Sequence, residues 1–108
     1  MSNYLFIESR GAFESATAPA FFSLARDLAQ QGSKVEIFLV QNGVMPARAG
    51  AKADGLSSAI QSGIAVLADE FSLKERALSA GQLMKGIKPA AIGTVIDRMA
   101  DGWKVIWH

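Results

Sequence analysis

An α/β fold, with a mainly parallel sheet of four to five strands and helices on both faces, is predicted by three observations. Short apolar runs without polar alternation recur at residues 4–7, 34–40 and 64–68, as strands buried on both faces require. Segments with helical apolar spacing lie between them, and polar, glycine-punctuated loops join the two kinds of element. Strands alternating with helices imply parallel pairing and right-handed crossovers. The shortest crossovers favour a first strand lying between the second and third.

In chain order, residues 4–7 form the first strand and Glu8-Ser9-Arg10-Gly11 the loop that ends it. Thr17 or Ser15 caps the next helix, and Pro19 suits its first turn, where a missing N–H costs nothing. Over residues 18–31, Phe21, Phe22, Ala25, Leu28 and Ala29 share a face, and Gly32 closes the helix. Residues 34–40 read as the second strand, followed by the turn signal Gln41-Asn42-Gly43-Val44. The small-residue segment 45–55 reads as a mobile loop or a poorly formed helical turn.

Residues 56–61 are a short helix closed by Gly63, and residues 64–68 the third strand. That strand stops abruptly at Asp69 and Glu70, where Ser72-Leu73-Lys74-Glu75 carries a capping-box pattern. Residues 78–84 form a short helix ended by Gly86. Pro89 and Ala90 open the last helix, along which Ile92, Val95, Ile96 and Met99 make one stripe. A turn at Asp101-Gly102 leads to a final strand over residues 103–107.

Composition bounds the function. The 108 residues suit one domain, spanning 1–108, and they are half apolar and 19% charged. So apolar a small domain points to a buried subunit interface. A formal net charge of +1 provides no field for nucleic acid. Lys85, Lys88, Arg98 and Lys104 lack interleaved exposed aromatics and read as a solvated face. No apolar run approaches the roughly 18 residues a membrane span needs, and the start of the chain shows no leader pattern. The expectation is a cytoplasmic protein. Absence of cysteine excludes disulfides and thiol chemistry.

No metal and no cofactor is expected, because there is no His/Cys cluster or calcium-loop spacing. Ser9-Arg10-Gly11-Ala12-Phe13 has too few glycines for a dinucleotide fingerprint, and no Walker-type sequence occurs.

The junction from the third strand into the following helix is where an open α/β sheet holds its ligands. Asp69 and Glu70 there read either as a general base or ligand-orienting carboxylate, or as a helix N-cap. Ser72 is no nucleophile, since the sole histidine, His108, offers it no adjacent base. Arg10, Arg48 and Arg76 each follow one of the first three strands. They either converge on one anion or remain solvated and paired with Glu8, Glu14, Asp69 and Glu75. Asn42 and Ser72 complete the candidate ligand set. Trp103 and Trp107 share one side of the last strand, one packing in the core and the other covering a subunit interface with Phe13, Phe71 and the loop around Met45.

Gln31-Gly32-Ser33-Lys34-Val35, Asn42-Gly43-Val44, the stretch Ser72 to Arg76 after the third strand, and the closing residues 92–107 resemble the DsrE/DsrF-like sulfur-relay proteins. The resemblance covers nearly the whole chain. It implies a small α/β domain that assembles into homo- or hetero-oligomers, often trimers or hexamers. It also implies a persulfide-carrying cysteine in the loop after the third strand. That position falls at Asp69 or within a residue of it, so the sulfur-bearing atom is missing. The resulting expectation is a non-catalytic binding or assembly subunit, partnering a sulfur-carrier protein or a cysteine-bearing homologue. The alternative is a small-molecule enzyme or anion-binding protein using Asp69 or Glu70 with Arg10 and Arg76.

Overall fold

A computed structural model describes residues 2–11, 16–51 and 53–108. Among these, five strands, β1 (Asn3–Glu8), β2 (Lys34–Leu39), β3 (Ala65–Asp69), β4 (Ile87–Ala90) and β5 (Lys104–Trp107), form one parallel sheet. Its strand order is β4-β3-β2-β1-β5. Four α-helices accompany it: α1 (Ala18–Gln30), α2 (Asp54–Gln61), α3 (Glu70–Glu75) and α4 (Gly93–Ala100).

The alternation of side chains along each strand divides the core in two. Phe6, Ile37 and Val66 face Phe21, Phe22 and Ala25 of α1 and Leu56 and Ala59 of α2. Leu5, Ile7 and Phe38 face the opposite way, toward Val95 of α4 and the half-buried Trp103 and Val105. Right-handed crossovers explain the layering. The steps from β1 to β2 to β3 run in one direction and keep α1 and α2 on one face. The return from β4 to β5 crosses the whole sheet and puts α4 on the other.

The first strand therefore does not lie between the second and third; instead β2 lies between β1 and β3. The successive steps keep α1 and α2 side by side, and Gly55 makes that contact close. A Cβ at Gly55 would lie 3.0 Å from the Phe22 ring.

Three local expectations also give way. The segment from Gln41 onward, read as a turn and then a mobile loop or poorly formed helical turn, opens as a 3-10 helix over Gln41–Ala47, with Val44 and Ala47 fully buried. Gly43 permits it, because any Cβ there would collide with the Glu8 carbonyl. Arg48 then bridges to Leu83, and the Met84 N–H donates to the Ala47 carbonyl at 2.7 Å. Residues 78–84 form only a single 3-10 turn, Ala80–Gln82, capped by Ser79. Ile87–Ala90 is a strand and not a helix start. Buried Ile87 and the edge position account for it, since an edge strand tolerates the missing N–H of Pro89. Ser15, Phe13 and Glu14 lie outside the described residues.

Arg98 leaves the solvated basic surface expected of it. From α4 it grips Glu36 on β2, with Nε donating to Oε1 at 2.8 Å and Nη2 to Oε2 at 3.3 Å. Its pKa is raised above the ordinary value, chiefly by this hydrogen bond. The guanidinium also stacks over Trp103 at 5.1 Å, with the Lys34 ammonium 5.6 Å from the same ring. Among buried groups on α4 only Val95 anchors the helix otherwise. Replacing Arg98 with Ala leaves the Glu36 carboxylate buried and unpaired. The expected loss is about 1.5–3 kcal/mol of unfolding free energy, measured as a lower urea midpoint with an unchanged slope.

Candidate functional site

At the β3–α3 junction, Asp69 is the N-cap and its side chain is committed. One carboxylate oxygen, Oδ2, accepts the Ser72 N–H at 3.0 Å and the Ser72 hydroxyl at 2.7 Å. The cap is thus Asp69 acting on Ser72, not Ser72 acting on Glu75, and α3 starts three residues earlier than a Ser72 cap implies. A strand that ends on a carboxylate and turns straight into a helix presents that group to the free N–H groups of the first turn.

The bonds continue outward. Ser72 Oγ accepts the Gln41 N–H at 2.8 Å. Arg76 donates Nη2 to Asn42 Oδ1 at 2.9 Å and Nη1 to the Ser72 carbonyl at 3.2 Å. Its contact with Glu75, at 3.7 Å and half-exposed, adds little. Asp69, Ser72, Asn42 and Arg76 are therefore gathered, and they bond chiefly to one another. Glu70 is exposed beside them.

The three arginines separate. Arg48 Nε donates to the Met45 carbonyl at 2.9 Å, closing its own 3-10 helix. Arg10 instead lines a cavity of about 440 Å³ together with Arg26, Phe22 and Asp54, and neither Arg48 nor Arg76 reaches its wall.

The most densely bonded polar group at this edge escaped sequence reasoning. Glu8, at the end of β1, is 1% exposed. Both its carboxylate oxygens lie 2.9 Å from Nδ1 of His108. Nε2 of the same ring lies 2.6 Å from the Thr17 hydroxyl, and the ring stacks on Phe21 with centroids 5.1 Å apart. An ionised Glu8 places the proton on Nδ1, so in the neutral ring Nε2 accepts from Thr17. Thr17 precedes α1 as its N-cap residue, but its hydroxyl turns to the imidazole and not to the helix. Hydroxyl, imidazole and carboxylate stand in the order that fixes a tautomer and lets a ring accept a hydroxyl proton. One signal was available: in a parallel sheet, Glu8 after the first apolar run and His108 after the last share the C-terminal edge.

Trp103 is half-buried against the second core, whereas Trp107 is 67% exposed and donates Nε1 to Ser9 Oγ at 3.2 Å. Among the described residues no three His, Asp or Glu side chains gather as a metal site, and no helix is long and apolar enough to cross a membrane.

The sequence matches the model of the DsrE/DsrF-like family over residues 2–108. No curated protein matches it. Solved structures share the fold at low identity. A protein of unknown function, MTH1491 from Methanobacterium thermoautotrophicum, superposes with a TM-score of 0.88 at 17% identity over 100% of both chains. The ychN protein from E. coli gives 0.89 at 16% identity, again over 100% of both. BT1422 from Bacteroides thetaiotaomicron, also of unknown function, gives 0.75 at 16%, covering 96% of this chain and 94% of its own.

Replacing His108 with Ala removes the partner of a buried carboxylate. Thermal or urea unfolding is expected to show a loss of about 1.5–3 kcal/mol. Glu8→Gln keeps an acceptor for Nδ1 and is expected to cost less. Asp69→Ala is expected to cost about 0.5–2 kcal/mol by loss of the cap, and Asp69→Asn only part of that.

Proposed function

We propose, on the premise that the chain belongs to the DsrE/DsrF-like family, that it is a binding and assembly subunit and does not itself carry sulfur. The observation that carries this reading is the state of Asp69. Where the resemblance puts the acceptor cysteine, a buried carboxylate caps α3 and takes two hydrogen bonds from Ser72. A group so engaged holds the loop in shape and is not free for transfer chemistry. The role that remains is to complete a cytoplasmic complex in which a cysteine-bearing homologue or a sulfur-carrier protein supplies the thiol.

Support for assembly comes from α4. Ile92, Ile96 and Met99 follow one another at helical spacing and are 54%, 62% and 54% exposed. Phe71 and Trp107 are also exposed, at 66% and 67%. An apolar stripe facing away from the protein's own core marks a surface that meets another chain. Trp107 and the α4 stripe suit a homo-oligomer of the trimer or hexamer kind better than Trp103, which is already packed. The enzyme reading, with Asp69 or Glu70, Arg10 and Arg76 around one substrate, has less support, since Arg10 and Arg76 serve different places.

Sedimentation at micromolar concentration is expected to show an oligomer, and Ile96→Arg is expected to shift it to monomer without loss of fold. A wild-type protein that sediments only as monomer overturns the assembly. Recovery of no sulfur-metabolism or tRNA-thiolation component from native extract counts against the sulfur-relay partnership.

A further inference from the structure

We propose that the cavity between α1 and α2, at the C-terminal end of β1, binds a small organic monocarboxylate with an apolar body, its carboxylate held by Arg10 and Arg26. The cavity, about 440 Å³ in volume, is lined by both arginines and by Phe22, Pro46 and Leu56. That size falls within the range of small-molecule sites, which combine apolar walls with a few placed polar groups.

Both guanidiniums are available. Among the described residues, no carboxylate lies within ion-pair distance of either. Arg26 makes a single long contact, donating Nη2 to Ser23 Oγ at 3.4 Å. Unpaired guanidiniums at the rim of an apolar cavity match the fork geometry of a carboxylate. The carboxylates on the wall set the charge of the ligand. Glu8 is 1% exposed and turns both oxygens to Nδ1 of His108, so they are not presented to a ligand. Asp54 remains, and it offsets part of the field of the two arginines. A monoanion suits that balance, whereas a phosphate dianion meets repulsion from Asp54. The apolar wall supplied by Phe22, Pro46 and Leu56 then calls for an aromatic or branched body. Arg10 and Arg26 make no contact with the Asp69 network, so this site stands or falls apart from the assembly role.

Calorimetric titration of the full chain with benzoate, phenylacetate and isovalerate tests the site, with benzamide and inorganic phosphate as controls. At least one of the three carboxylates is expected to bind. Arg10→Ala and Arg26→Ala are each expected to raise its Kd about tenfold or more, the loss of one charge-assisted contact. Both variants remove partly or fully exposed side chains, and far-UV circular dichroism confirms that they fold. The proposal is overturned if none of the three carboxylates binds the folded wild type. It is equally overturned if neither substitution weakens binding, or if benzamide or phosphate binds as tightly as the carboxylates.

Discussion

A carboxylate buried at the end of a parallel strand must find partners or lose its charge, and Glu8 dictates much of how this chain closes. Its partner is His108, the residue immediately after β5. That pairing requires β5 to lie beside β1, with Ile7 level with Trp107. It also requires the chain to cross back over the whole sheet from β4, which carries α4 to the otherwise bare face. The other side of the imidazole holds the start of α1 through Thr17, and Phe21 covers the ring. The Ser9 N–H and hydroxyl both donate to the His108 main-chain oxygen at 3.0 Å. One buried carboxylate and its imidazole partner thus tie together the first strand, the last strand and the first helix.

The C-terminal edge of the sheet consequently has two unlike halves. Over β2 and β3 the polar side chains bond among themselves: Asp69 to Ser72, Ser72 to Gln41, Arg76 to Asn42. Gln41 even adopts a left-handed φ of 52°, an uncommon conformation for a residue with a side chain, and its N–H reaches Ser72. Over β1 lies Glu8, backed by His108, and the cavity between α1 and α2 carries two arginines that pair with no carboxylate among the described residues. The family frame is retained, while over β2 and β3 the edge is filled by its own hydrogen bonds.

The fold class was legible because β1, β2 and β3 are short apolar runs and α1 is an amphipathic segment ended by glycine. What escaped has physical causes. Pro89 reads locally as a helix opener, and only the edge position of β4 makes it a strand residue. Gly43 reads as a turn signal, but its purpose is close approach to the main chain at Glu8, a long-range contact no local pattern shows. At the site, Asp69 and Ser72 were visible as neighbours and their capping relation was one of two readings on offer. Glu8 and His108 were legible only as residues ending strands at one sheet edge, not as partners, because 100 residues separate them and only the strand order brings them together. Arg98 and Glu36 were hidden for the same reason.

The β4 edge of the sheet also limits how copies of the chain can meet. β4 is an edge strand of four residues that contains Pro89 and the exposed Lys88. It has one fewer backbone donor than a regular strand, and an incoming strand would have to seat itself beside a lysine charge. Growth of the sheet from that side is therefore disfavoured. Under the proposed assembly, the exposed side chains of α4 are then a more favourable contact surface than the β4 backbone. A proline too easily read as punctuation thus blunts one edge of the sheet against pairing with another strand.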